Sequence, residues 1–361
     1  MNVNIAANTT RMNGTRESTD EKGGERLVEV HAPRPLGWRH PERRSVAVPG
    51  KPQEQGRADA SGSRCDQLVP SQGPSGESPD SSLLSLSFSS MTTRVSFWLS
   101  TTRPDGRGAL QRAQKEVQEF EARFSRFRAD SELSTLNNHA GTGPVGVSNE
   151  LFQLVEAALK LAHRSGGLVD PTVLPALVRQ GYGTGPSLGP CNYRVVHLDK
   201  ERQTVDLPPG YALDLGGVAK GWLAVKLAQK LGRLGPCLVD VGGELQAHGS
   251  DTWMVEIENP LAPHERLLEF PLAGRGVATS SVLKRRWSKG RHHLIDPRTG
   301  RPAQSDLVSV TVVSESALTA EGDAKTVLLL GRRRGSQWLS ERGLAGVMVG
   351  WNAKVWKVGQ I

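Results

Sequence analysis

Between Asp214 and Glu244 two glycine pairs, Gly216-Gly217 and Gly242-Gly243, bracket one amphipathic helical stretch, and each pair has an acidic neighbour. Glycine accepts positive φ and lets backbone approach another group closely, so these pairs demand tight passages at both ends of the helix. Lys220 opens that helix. A helix start presents unpaired N–H groups and a partial positive charge, which favours anions. A lysine one turn in adds a mobile point charge suited to phosphate. The same residues also fit two ordinary turns around a surface helix, because short glycine motifs recur by chance.

A chain of 361 residues has room for two or three domains, but its composition does not fill them. From Met1 to about Ser85 the only aromatic residue is Trp38, amid Gly, Ser, Pro, Arg and Glu. Such a segment buries too little apolar surface to offset its ordering entropy. We therefore expect a disordered extension over 1–85 and a folded domain over 86–361, with Met91 as an alternative true start. No apolar run has the length of a signal peptide or a membrane span, so stable membrane insertion is not expected. The net charge of +8 raises the question of nucleic acid. Its basic residues are dispersed, with short clusters at Lys284-Arg285-Arg286 and Arg332-Arg333-Arg334 and no aromatic-rich RNA-binding or zinc-finger pattern. A basic pocket explains the excess equally well, and no nucleic-acid partner is expected. Cys65, Cys191 and Cys237 are too scattered for a disulfide framework or a zinc site, which fits reduced thiols in the cytoplasm.

Residues 91–101 carry the β-branched and aromatic content of a strand. Leu110, Ala113, Val117, Phe120, Phe124 and Phe127 recur at spacings of three and four, which predicts a helix over 108–127. Ser148 is placed to cap the next helix, which Gly166-Gly167 stops. Proline and glycine crowd 171–190, predicting loop with at most a short helix. Residues 193–207 read as a hairpin turning at Asp199-Lys200. Further β signal lies at 237–246, 253–257, 277–281, 292–295 and 308–313, and 317–330 forms the last long helix. Strands and helices mix without a regular βαβ repeat, so the fold class is α+β rather than a doubly wound sheet.

Several islands stand in a fixed order: FSRF at 124–127, DSELSTLN at 130–137, GGLVDPTV at 166–173, DLGGVAKG at 214–221 and DVGGE at 240–244. ATSS at 278–281, HLIDPRTGRP at 293–302 and AEGDAKT at 320–326 complete the series. In this order and spacing they resemble the ApbE-type FAD:protein FMN transferases, from about Met91 to the C-terminus. The resemblance implies a mixed α+β fold with a cofactor cleft and a magnesium-dependent enzyme whose substrate is FAD. It further implies that FMN passes to a Ser or Thr hydroxyl of an acceptor flavoprotein, with AMP leaving. Such a displacement at phosphorus asks the protein for positioning, charge neutralisation and help in deprotonating a hydroxyl.

Carried over position by position, the resemblance implies FAD contacts at Asp214 and Lys220 and a magnesium ligand in the Gly217 carbonyl. It aligns Leu168, Val169 and Asp170 with the adenine and ribose side of the cofactor, Met91 with a Met-Gly-Thr start, Phe127 with an aromatic near the flavin, and Ile295 with a cofactor contact. His293 is the candidate for proton transfer or substrate orientation, with Asp296 beside it. Each has a second reading. Asp214 and Asp296 both suit turns, His293 fits a hydrogen-bonded core histidine, and Phe127 completes a helix stripe into the core. Leu168 and Val169 could act only through backbone.

The departures fall at the metal. Where the family commonly carries magnesium-binding Asp and Thr in the last helix, this chain has Glu321 and Lys325. Glu binds magnesium readily, whereas an ammonium offers donors only. Thr326 and Asp323 do not share that face, because a helix turns about 100° per residue. Lys325 then either supplies positive charge beside the pyrophosphate or pairs with Glu321 at i,i+4. Met91-Thr92-Thr93 also lacks the glycine of the family's start. Two other functions compete with transfer: flavin binding without catalysis, and hydrolysis of FAD to FMN and AMP. No Cys-bearing lipobox follows an apolar run, which again points to the cytoplasm.

Overall fold

Apolar residues alternating with a period of two build the centre of the protein. Its computed structural model describes residues 29–31 and 82–361, except 264 and 289. The sheet strands are β1 (Glu29–His31), β2 (Ser82–Ser90), β3 (Thr93–Thr101), β4 (Cys237–Val241) and β5 (Glu244–His248). They continue with β6 (Gly276–Ser281), β7 (Leu307–Ser314), β8 (Ala345–Gly350) and β9 (Lys354–Val358). Among the described residues these nine form one antiparallel sheet in the order β1-β9-β8-β7-β6-β5-β4-β3-β2. Cys237, Val239 and Val241 of β4 point with Val95, Phe97 and Leu99 of β3 into one buried cluster. Leu238 points the other way, into a second cluster with β6, β7 and β8, as the pleat requires.

Helices α1 (Gly106–Phe124), α2 (Glu132–Asn138), α3 (Asn149–Arg164) and α5 (Ala219–Leu231) supply apolar stripes to the first cluster. A short helix, α4 (Leu174–Arg179), is the only regular helix in the proline- and glycine-rich stretch. Ser148 caps α3 as expected, its hydroxyl accepting the Leu151 N–H at 3.2 Å. The last helix, α6 (Ala317–Glu341), runs beyond the expected end at 330. It breaks sharply at Gly331, where φ is 73°, and restarts with the Arg332 N–H donating to Asp306 Oδ1 at 2.9 Å. The hairpin of Trp253–Glu258 with Arg266–Leu272 contains a strand the sequence reading did not anticipate. Among the described residues no helix is long and apolar enough to cross a membrane.

The described part of the domain starts at Ser82, close to the expected boundary, and β2 pairs with β3 along its whole length from Ser82↔Thr101 to Ser90↔Thr93. Leu84, Leu86 and Phe88 pack on the first cluster, so a chain beginning at Met91 would lose a core-bearing strand. Glu29–His31 pairs with β9, and apart from these residues and 82–85 the expected disordered extension lies outside the described residues. Met91 is therefore not in a strand. With Thr92 it forms the two-residue turn of the β2–β3 hairpin, at φ 51° and 56°. That geometry matches the twist of antiparallel strands but favours Gly or Asn, and a β-branched residue there is strained. Replacing Thr92 by Gly should stabilise the protein by about 1 kcal/mol, the relief of strain exceeding the added chain entropy. A urea titration should show a higher midpoint for T92G; a lower one would mean that Thr92 is not strained.

Candidate functional site

The DLGGVAKG segment is held before it can hold anything else. Asn137 clasps Leu213, accepting its N–H at 2.7 Å and donating to its carbonyl at 2.9 Å. The Asp214 N–H donates to the Pro171 carbonyl at 2.7 Å, tying the loop to the GGLVDPTV stretch. Asp214 was expected to touch cofactor directly, yet both its carboxylate oxygens serve the protein. Oδ1 accepts the Gly216 N–H at 2.7 Å, and Oδ2 pairs with Arg126. The Arg126 guanidinium is nearly buried and lies 4.1 Å from the Phe127 ring centroid and 5.0 Å from that of Tyr182.

Helix α5 begins at Ala219 with no side-chain cap from its own strand of chain. Glu321 of α6 supplies one, its Oε2 accepting the Gly221 N–H at 3.0 Å. A Cβ at Gly221 would meet the Ala317 carbonyl and Glu321 Oε2, each at 2.8 Å, so only glycine allows this crossing. The other Glu321 oxygen accepts Lys325 Nζ at 2.9 Å. Lys220, one residue before Gly221, pairs with Glu244 of β5. Burial alone would raise the Glu321 carboxyl, but Lys325 and Lys220 hold it below the ordinary value. Burial dominates at Glu244 and raises it. It also dominates at Asp240, pushed up to about 6. Gly242-Gly243 has the simpler role: both residues take positive φ in the two-residue β4–β5 turn, which delivers Glu244 beneath Lys220.

These elements enclose a cavity of about 490 Å³. Its walls bring together Met91, Phe127, Leu168, Val169, Asp170, Asp214, Gly217, Lys220, His293, Ile295 and Lys325, all singled out in the sequence. Phe127 is not a core residue as its helix spacing suggested. Helix α1 ends at Phe124, and Phe127 stands 64% exposed on the following loop. Asp170 contributes little free chemistry: its oxygens accept Thr172 N–H at 2.8 Å, Thr172 Oγ1 at 2.7 Å and Tyr193 N–H at 3.0 Å. The Val169 N–H is taken by Ser165 Oγ at 2.9 Å, and that of Met91 by Glu121 Oε2 at 2.8 Å.

His293 lines the cavity with its Nδ1 buried and free of any hydrogen-bond partner in the protein. Burial, then the positive charges of Arg285, Lys325 and Lys220, push its imidazole down to about 3, so the ring is neutral at pH 7. Asp296 is elsewhere. It lies off the cavity wall and forks onto Arg298 Nε and Nη2 at 2.9 and 2.7 Å, closing the turn that its Asp-Pro sequence suggested. Three residues were missed. Tyr182 stacks on Trp287 with ring centroids 4.6 Å apart and meets Phe127 edge-on at 5.8 Å, making an aromatic rim. Arg285 faces the cavity, although its cluster read as dispersed surface charge. Only the aromatics themselves, within a loop-like and a basic stretch, signalled this rim.

The expected magnesium ligands do not fit a metal ion. Magnesium needs near-octahedral oxygen at about 2.0–2.1 Å. Here the position between Gly217 and Glu321 belongs to Lys325, whose Cε lies 3.2 Å from where a Gly217 Cβ would stand. Both Glu321 oxygens are engaged, one of them by that ammonium. Among the described residues no three His, Cys, Asp or Glu side chains converge as a metal cluster.

Comparison with known proteins agrees with this geometry. The FAD:protein FMN transferase of Vibrio cholerae is 31% identical over 61% of this chain and 72% of its own length. That of Treponema pallidum is also 31% identical, over 64% and 74% of the two chains. The ApbE protein of Thermotoga maritima superposes with a TM-score of 0.69 at 24% identity, covering 76% of this chain and 96% of its own, which is a likeness of fold. The sequence profile of the ApbE family matches residues 91–348, and the chain belongs to that family.

Proposed function

We propose that this protein is an FAD:protein FMN transferase, moving the FMN part of FAD onto a Ser or Thr hydroxyl of an acceptor flavoprotein. The observation that carries the reading is one cavity wall on which a neutral, unpartnered His293 adjoins Lys220, Lys325 and Arg285. FAD enters as substrate. Its diphosphate takes the cationic side, and the Phe127, Tyr182 and Trp287 rim offers ring faces to the flavin. The acceptor hydroxyl oxygen attacks the FMN phosphorus, the phosphorus–oxygen bond to AMP breaks, and AMP departs with the bridging oxygen. The neutral His293 imidazole, which lines the cavity, receives the hydroxyl proton. Burial first, and then the field of Arg285, Lys325 and Lys220, keeps His293 a weak base; the diphosphate offsets the second of these and so raises its basicity in part. Asp214 acts at one remove, by positioning Arg126 and the glycine loop.

Purified protein given FAD and an acceptor flavoprotein should release AMP and leave a fluorescent flavin adduct on the acceptor in a denaturing gel. Release of AMP without an adduct would mark hydrolysis instead, and bound FAD with no AMP would mark a binding protein. In H293Q, transfer should fall by about 10²–10⁴-fold while FAD affinity holds. Unchanged turnover in that variant would remove His293 from the chemistry.

A further inference from the structure

We infer that the Lys325 ammonium takes the place of a divalent cation at the diphosphate, so that this chain binds FAD without metal. The inference rests on the reading of the cavity as an FAD site and goes beyond it, because the family resemblance implies magnesium there.

Four observations carry it. Lys325 occupies the position at which the last helix should present a second metal ligand, and its side chain lies against Gly217, the site of the third. Its partner Glu321 is fully engaged, by Lys325 on one oxygen and by the Gly221 N–H on the other, so no carboxylate oxygen turns to the cavity. Lys325 itself does face the cavity. An ammonium has three donors, and among the described residues Lys325 spends one of them on protein. Two N–H groups remain for phosphate oxygens. Lys220 repeats the arrangement on the same wall, anchored by Glu244. Each cation is thus fixed by a buried carboxylate, Lys325 by one on its own helix and Lys220 by one on β5, and both line one space. A magnesium ion entering between Gly217 and Glu321 would have to displace Lys325 from Glu321. It would also face an ammonium at close range in a poorly screened site.

Calorimetric titration of the full chain with FAD, in EDTA and again in excess magnesium, tests the inference by binding alone. Wild-type affinity should be indistinguishable in the two buffers. A loss of about tenfold or more in EDTA, the scale of a lost charge-assisted contact, would overturn the inference. Wild-type protein that binds FAD in neither buffer would overturn the FAD reading itself. Two variants sharpen the result. K325M should lose about tenfold in both buffers, whereas K325T should lose as much in EDTA and regain affinity in magnesium. Equal affinity of K325M and wild type would show that Lys325 does not meet the diphosphate. Because each variant strips a buried carboxylate of its partner, thermal unfolding is recorded alongside. If neither variant folds, the wild-type comparison alone decides.

Discussion

One buried carboxylate, that of Glu321, governs how the two site helices meet. It caps the start of α5 through the Gly221 N–H and holds Lys325 one turn along its own helix. The contact exists only because Gly221 lets α5 approach the Ala317 carbonyl without a side chain between them. A buried ion pair is weak evidence for net stability, since desolvation consumes much of the attraction. Breaking one, however, strands a charge and costs about 3–5 kcal/mol, so the pair is locked in once formed. The consequence is geometric. Lys325 cannot wander, and the cavity floor receives a cation at a fixed place.

The second pair, Lys220 with Glu244, applies the same logic from the sheet side. The glycine turn between β4 and β5 sets Glu244 under the first turn of α5, and the helix brings Lys220 down to it. Together the lysines, both largely buried, place two positive charges on one wall of the cavity. Burial is the main reason that His293 is neutral, and the charges of Arg285, Lys325 and Lys220 add to it. In the proposed reaction, charge neutralisation at the diphosphate would ease proton transfer to His293 through the substrate rather than through a contact between the residues. Arg126 and Asp214 form a third internal pair, which stiffens the loop instead of serving the ligand.

Much of this was legible in the sequence because it rests on local rules. Helical spacing, the Ser148 cap and the glycine turns all follow from neighbours along the chain. The order of the motifs also gathered eleven of the cavity residues in advance. What escaped depends on distant partners. That Asp214 also pairs with Arg126 was hidden, because nothing nearby in sequence reveals that partner. The second reading of Phe127, as core, followed from spacing that continues the α1 stripe, although the helix stops at Phe124. Asp296 gained a role from standing near His293 in sequence, whereas His293, at a bend, lines the cavity and Asp296 turns onto Arg298. Trp287 and Tyr182 meet only after folding, and Arg285 turns inward only there. The hairpin strand β2 was masked by the serine-rich segment before it, whose composition argued for disorder.

A crystal structure of the FAD complex, grown in chelator, tests the central claim most directly. The account requires diphosphate oxygens within hydrogen-bonding distance of Nζ of both Lys220 and Lys325, with the Lys325–Glu321 pair intact. A dinucleotide seated away from these lysines would contradict it.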